Sequence, residues 1–278
     1  MTASAADDRF VQLGDMTLRV RRVAARASQR ASDASVLVFL HDSLGCVDTW
    51  RDFPQALAER VGLDAIIYDR RGYGQSSEFT NVTRTPRYLD DEVDSLIALL
   101  DALAIDDVVL FGHSDGGTIS LIAAALRPER VRAVITEGAH VFVEDVTLDG
   151  IRQARHALRT TDLAARLARY HGDKVDAVTS AWIDTWLSPE FRDWNIEEYL
   201  PRVVCPALVI QGERDEFGTL AQVEAIVAGC GGPATPLIIP GIGHTPHREA
   251  AMEVLDAAAA FIGAALEPPQ GSPGDVRR

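Results

Sequence analysis

The chain has 278 residues, 47% of them hydrophobic and 24% charged, an ordinary globular mixture with room for one large α/β domain or two small ones. Its formal net charge of −14 argues against nucleic acid and anionic membranes as partners, and no stretch is apolar for long enough to span a bilayer, so a small-molecule substrate is expected, with homo-oligomerisation left open. Cys46, Cys205 and Cys230 are far apart and odd in number, without disulfide or metal-ligand spacing, and Met1 to Phe10 lacks the basic start and apolar core of a secretory signal, which makes a reducing cytoplasm the expected compartment.

In chain order, Phe10 to Leu13 and Met16 to Val23 flank Gly14-Asp15, a hairpin signal. Residues 26–35 are polar and rich in Ala and Ser and read as a loop. Val36 to Leu40 is continuously apolar, as a strand buried on both faces should be, and His41-Asp42-Ser43-Leu44-Gly45 follows at once. Trp50, Phe53, Leu57 and Val61 share one face of a predicted helix. Ala65 to Tyr68 is another short apolar run, followed by the Gly-broken loop Asp69 to Ser76. Leu89, Val93, Leu96, Ile97, Leu100 and Leu103 form a helical stripe. The apolar run Val108 to Phe111 then leads through Gly112-His113-Ser114-Asp115-Gly116 into an Ala- and Leu-rich helix, Thr118 to Leu126.

Val131 to Thr136 reads as a strand, after which residues 141–200 break the alternation. That stretch has helical periodicity without strands and holds Tyr170, Trp182, Trp186, Phe191, Trp194 and Tyr199. Strands resume at Ala207 to Ile210 and Pro236 to Ile239, with helices over Thr219 to Ala228 and Glu249 to Leu266. Residues 267–278 are rich in Pro and Gly and read as a disordered tail. Repeated strand–helix units imply a mostly parallel sheet with helices on both faces. The expected class is therefore α/β, with a core of residues 1–140 and 201–266 and a helical cap of residues 141–200.

The strongest chemical signal lies between Val108 and Leu126. G-x-S-x-G between a strand and a helix is the sharp turn that lifts a nucleophilic serine above a sheet, and bulky residues at 112 or 116 would collide with neighbouring elements. In open α/β sheets, sites lie beyond the carboxyl ends of the strands. Those ends present Ser114, then Gly212-Glu213-Arg214-Asp215, then Gly241-Ile242-Gly243-His244. A serine hydroxyl is a poor nucleophile at neutral pH; an imidazole must take its proton, and a buried carboxylate fixes the imidazole tautomer. Ser114, His244 and Asp215 supply those three types, with Glu213, Glu216 and the strand-end Glu137 as rival acids.

With these motifs in place, the sequence resembles the α/β-hydrolase superfamily over roughly residues 10–266. The matching pieces are His41 to Gly45, Asp69 to Ser76, the serine turn, Gly-x-x-Asp at 212–215 and Gly-x-x-His at 241–244. The resemblance implies an α/β-hydrolase fold with a helical cap insertion, a triad of Ser114, Asp215 and His244, and an oxyanion hole made by the backbone N–H groups of Ser43 and Asp115. It implies no cofactor and no metal. Esterases, enol-lactonases and carbon–carbon bond hydrolases are resembled about equally, and ligand receptors or cofactor-independent oxygenases also occur on such a fold. A haloalkane or epoxide route is disfavoured, because those relatives carry Asp where Ser114 stands.

One departure concerns Asp42, which stands where the family has Gly. A side chain there either points away from the developing oxyanion, is partly protonated, or has a substrate role. His140 and His247 are near enough in the topology to touch the pocket. Trp182, Trp186 and Trp194 are the first candidates among the cap aromatics for substrate contact, since ligand sites are lined mainly by apolar and aromatic side chains. Arg70 and Arg71 could bind a substrate carboxylate, although such loop arginines more often pair with local acids.

Overall fold

The computed structural model describes residues 7–25 and 35–267. The loop expected at 26–35 and the tail expected at 267–278 lie outside these, apart from Ser35 and Glu267. β1 (Asp7–Leu13) and β2 (Met16–Val23) form the antiparallel hairpin around Gly14 and Asp15. The chain continues through β3 (Val36–Leu40), α1 (Phe53–Val61), β4 (Ala65–Tyr68), α2 (Tyr88–Ala102), β5 (Val108–His113), α3 (Asp115–Leu126) and β6 (Val131–Glu137). Three helices follow, α4 (Asp145–Thr160), α5 (Leu163–His171) and α6 (Val175–Trp186). β7 (Ala207–Gly212), α7 (Leu220–Gly229), β8 (Ala234–Ile239), α8 (Pro246–Glu249) and α9 (Ala251–Leu266) complete it.

The eight strands make one sheet in the order β1-β2-β4-β3-β5-β6-β7-β8. β2 pairs antiparallel with β4, and every pair from β4 to β8 is parallel. The order reverses at β3, which lies between β4 and β5, so the crevice of the fold opens between the carboxyl ends of β3 and β5. Their register, Leu40 opposite Gly112, brings the segments after the two strands side by side.

Side-chain alternation explains the layers. Val38, Leu40, Val108 and Leu110 join an apolar cluster with α2 and α3, whereas Leu37, Phe39, Val109 and Phe111 join a second one with α1 and α9. Trp182, Trp186, Phe191 and Trp194 belong to the first cluster with Tyr88 and Leu89, so the helices between β6 and β7 share the apolar packing of one sheet face. Apart from a single bridge between Phe142 and Asn195, that segment is helical among its described elements.

Two expected helices differ at their ends. The one expected from Trp50 starts at Phe53, after a 3₁₀ turn over Val47–Trp50 and a left-handed Arg51. Pro54 in the first turn favours that start, because its missing N–H would be unbonded there anyway. The one expected from Glu249 breaks into α8 and α9 at Ala250.

Candidate active site

β5 ends at His113 and α3 begins at Asp115, so Ser114 makes the turn alone with φ 53° and ψ −119°. A non-glycine residue there carries strain on the order of 1–3 kcal/mol. The surroundings hold it. Ser114 N–H donates to the Glu137 carbonyl at 2.8 Å, and the Ser114 carbonyl accepts from Gly117 and Thr118 N–H at 2.9 and 3.1 Å. A Cβ at Gly116 would run into the Leu40 carbonyl, and one at Gly112 into the Gly116 carbonyl, so β3, β5 and α3 meet here through bare backbone. Asp115 opens α3, which leaves its N–H among the first four without an acceptor inside the helix. The positive end of the helix dipole therefore lies at the serine.

The loops after β7 and β8 bring an acid and a base together. His244 Nδ1 lies 2.9 Å from both Asp215 oxygens. Asp215 Oδ1 also accepts the Phe217 N–H at 2.8 Å, an Asx turn that orients the carboxylate. Burial alone would raise the Asp215 carboxyl, but the His244 ring and the Phe217 N–H hold it below the usual carboxylate range. With Nδ1–H donated to Asp215, Nε2 of His244 is the free basic nitrogen. The space for this pair comes from Gly138, φ 55°, where a Cβ would press on the His244 ring and the Asp215 carboxylate. Glu137, the rival acid, is turned elsewhere, with Oε2 2.6 Å from His247 Nδ1. Glu213 accepts from the Gly241 N–H.

After β3, Gly45 N–H donates to the Asp42 carbonyl at 3.2 Å and closes a turn with Ser43 and Leu44 at its centre. The Asp42 carboxylate accepts the Leu44 N–H at 3.2 Å and faces His113 Nδ1 at 3.7 Å. Burial opposes the charge on both partners, yet each holds the other ionised. Asp42 lies well below the usual carboxylate range, and His113 is pushed up to about 9. Both shifts favour the ionised forms, a carboxylate in the turn after β3 facing an imidazolium. His113 Nε2 donates to the His244 carbonyl at 2.8 Å, which links this ion pair to the loop that carries the base. Arg70 is fully buried and donates to the His41 and Asp42 carbonyls, and Arg71 bonds Asp15 and the Glu78 carbonyl. Both arginines are engaged locally.

These groups share one cavity of about 180 Å³, room for a group of roughly benzene size. Asp42, Ser43, His113, Ser114, Asp115, His140, Glu216 and His244 contribute polar lining. Leu44, Ile151, Trp182, Trp186 and Phe217 form its apolar wall. His140 Nε2 donates to the Phe217 carbonyl at 3.0 Å, and burial holds its ring below the ordinary histidine range.

Two expected substrate contacts lie elsewhere. His247 does not line the cavity, because α8 turns it into the apolar layer, where it bonds Glu137 and packs on Trp50 with ring centroids 4.5 Å apart. Trp194 is one ring removed from the cavity, stacked on Phe191 at 5.1 Å and packed on Trp186 at 5.5 Å.

Several participants had no place in the sequence reading. Gly138 had a legible signal, a glycine directly after a strand end. Phe217 had a weaker one, two residues past the acid. Tyr88 had none. Its hydroxyl accepts from Trp186 Nε1 at 3.0 Å and donates to Asp115 Oδ2 at 3.2 Å, joining a cavity-wall ring to the residue after Ser114 across three distant elements. Among the described residues, no group of three His, Cys, Asp or Glu is arranged to hold a metal ion, and no helix is long and apolar enough to cross a membrane.

Comparison with known proteins agrees with this architecture. A family model for the alpha/beta hydrolase fold matches residues 35–197, well over half the chain. Serine hydrolase BPHL of Homo sapiens is 33% identical over 156 residues, covering 54% of this chain and 53% of that protein. The chain thus matches only about half the length of its curated relatives of that name. The structure of proline iminopeptidase from Mycobacterium smegmatis superimposes with a TM-score of 0.72 at 23% identity, over 93% of this chain and 98% of that one. The enol-lactonase from Burkholderia xenovorans LB400 gives 0.74 at 18%, over 92% and 100%. At such identities the structural likeness speaks for the fold alone, while the family match covers the serine turn and both oxyanion-hole candidates. The chain belongs to the α/β-hydrolase fold family.

Proposed function

We propose that the chain is a cofactor-free serine hydrolase that cleaves a small or medium carboxylic ester, lactone or thioester through an acyl-enzyme. One observation carries the reading: strained Ser114 shares a cavity with His244, whose other ring nitrogen is held by buried Asp215. Ser114 Oγ attacks the acyl carbon while His244 Nε2 takes its proton. The N–H groups of Ser43 and Asp115 receive the oxyanion, each worth about 10²–10³ in rate. Collapse expels the alkoxide or thiolate, which His244 protonates. A water deprotonated by His244 then attacks the ester carbonyl of the acyl-enzyme, releasing the acid and restoring Ser114.

The apolar wall of Ile151, Trp182, Trp186 and Phe217 favours an apolar acyl group, and the cavity volume favours a small one. Three of those four residues come from the helices between β6 and β7, which we read as a cap that shapes the pocket without supplying the triad. The name of the human relative, a serine hydrolase, supports the same chemistry.

The test is covalent. A fluorophosphonate should leave a single adduct on Ser114, mapped by mass spectrometry, and abolish turnover of short p-nitrophenyl esters. Ser114→Ala should lower kcat by on the order of 10⁴–10⁶. An adduct on another residue, or none in protein that turns over esters, would overturn the assignment. Cleavage of vinylogous diketones in place of esters would move the same triad to carbon–carbon bond hydrolysis.

A further inference from the structure

We propose that His171, the last residue of α5, is a positioning residue for the oxyanion turn. By holding the Leu44 carbonyl and the Gly74 N–H at once, it ties the seating of the cap to the aim of the Ser43 N–H. The inference rests on the serine-hydrolase reading.

His171 is 2% exposed. Its Nε2 lies 3.0 Å from the Leu44 carbonyl oxygen, and its Nδ1 lies 3.0 Å from the Gly74 nitrogen. A carbonyl only accepts and a backbone N–H only donates. The ring must therefore be neutral with its proton on Nε2, and burial favours that state by holding it below the ordinary histidine range. Both ring nitrogens are committed, one to each of two core loops.

The first loop is the oxyanion turn. Leu44 is gripped on both sides, its N–H by the Asp42 carboxylate and its carbonyl by His171. Ser43 immediately precedes it at the first central position of the turn, where the N–H takes no part in the closing bond. Holding the peptide planes on both sides of Leu44 restrains the short turn that carries the Ser43 N–H, and so its direction. The second loop follows β4. Lys174, three residues past His171, donates to the Tyr73 and Ser76 carbonyls at 3.2 and 2.6 Å. The buried Asp69 carboxylate accepts from Gln75 N–H at 2.8 Å and from Val47 N–H at 2.6 Å, so this loop is itself anchored. Residues 171–174 therefore bolt the cap to a fixed loop with one hand and orient the oxyanion turn with the other. An oxyanion donor acts only when aimed at the position the oxyanion occupies, and a misplacement of about 1 Å can cost 10²-fold.

The test separates the two bonds. His171→Gln keeps a donor near the Leu44 carbonyl, His171→Asn keeps an acceptor near the Gly74 N–H, and His171→Phe keeps the ring and neither bond. With p-nitrophenyl butyrate, His171→Phe should lower kcat about tenfold or more with KM within about threefold. His171→Gln should retain most of the wild-type kcat, and His171→Asn should fall with His171→Phe. Where circular dichroism shows that the Phe variant does not fold, the Gln and Asn pair decides. Unchanged kcat in His171→Phe, or equal losses in Gln and Asn with a rising KM, would reduce His171 to ordinary cap packing and overturn the inference. A wild-type fluorophosphonate adduct away from Ser114 would overturn the hydrolase reading and this inference with it. An adduct on Ser114 beside indifferent His171 variants would overturn this inference alone.

Discussion

Two histidine–carboxylate pairs have their histidines three positions apart in the chain, at 244 and 247, and they differ in access rather than in chemistry. His244 is held by Asp215 and His247 by Glu137, each through Nδ1. Glu137 ends β6, and Asp215 lies in the loop after the adjacent strand β7. The His244 side chain is 12% exposed and faces the cavity with Ser114, whereas that of His247 is 5% exposed and packs against Trp50 and Phe53. A base needs a second nitrogen that can reach a substrate, and only His244 has one at the cavity. The other pair gives one oxygen of a buried carboxylate its partner, and a buried carboxylate with no partner at all would be costly. Glu137 still serves the site through its main chain, since its carbonyl accepts the Ser114 N–H.

Exchanging the two acids for amides breaks the comparison most sharply. Asp215→Asn should lower kcat by on the order of 10⁴, by favouring the wrong tautomer and removing the charge that stabilises the imidazolium, with little change in the circular dichroism spectrum. Glu137→Gln should leave kcat within a few-fold and cost about 1–3 kcal/mol of stability in urea unfolding, the range for a weakened buried hydrogen bond. Loss of turnover in Glu137→Gln with full activity in Asp215→Asn would show that the acid has been assigned to the wrong strand.

A third histidine stands between the pairs and sharpens the contrast. The His113 ring centroid lies 5.0 Å from that of His244 and 5.2 Å from that of His247. Asp42 holds it charged, with its ring pushed up to about 9. An unfolded histidine titrates near 6.5. A group raised in the folded state adds stability that is fully present below its unfolded value and is lost as pH rises through the folded one. Stability from this pair should therefore be complete below about pH 6.5 and fall away through about pH 9, with a ceiling of about 3 kcal/mol. Asp42→Asn should flatten that slope in denaturant unfolding measured from pH 6 to 10. A wild-type and variant slope that coincide would show that the pair does not couple to folding.

Much of this site was legible because it is built from backbone devices with sequence signatures. The serine turn needs glycines where three elements meet, and the acid and base follow strand ends with Gly-x-x spacing. The sheet was legible because strands buried on both faces read as unbroken apolar runs, as Val36 to Leu40 does. What escaped were contacts made by tertiary crossings. No local pattern says that Pro246 turns His247 into the apolar layer, three residues past the His244 that faces the cavity. None places Tyr88 under Trp186, or His171 on the Leu44 carbonyl. The charge of His113 was equally hidden, since it depends on Asp42 lying across a strand boundary 71 positions away in the chain.

The smallest effect expected concerns Trp182, Trp186 and Trp194, which separate wall from support between β6 and β7. Trp182 and Trp186 line the cavity, whereas Trp194 packs on Trp186 and Phe191 away from it. A pocket contact of methylene size shifts discrimination by roughly 1–3 kcal/mol, about 10–200-fold. Truncating a wall ring opens space for a longer acyl chain. Trp182→Ala and Trp186→Ala should therefore shift kcat/KM toward longer p-nitrophenyl esters by at least about tenfold. Trp194→Ala should lower thermal stability, as removal of a buried aromatic does, and leave the ranking of acyl lengths in place. Trp186 has a second attachment, its Nε1 bond to Tyr88, whose hydroxyl reaches Asp115, so Trp186→Phe is the cleaner probe of that link. It keeps an apolar wall, removes the donor, and should lower kcat on every ester by a similar factor with the ranking unchanged. A ranking shift in Trp194→Ala equal to that in Trp182→Ala would mean that the cap repacks as a unit and that the division into wall and support fails.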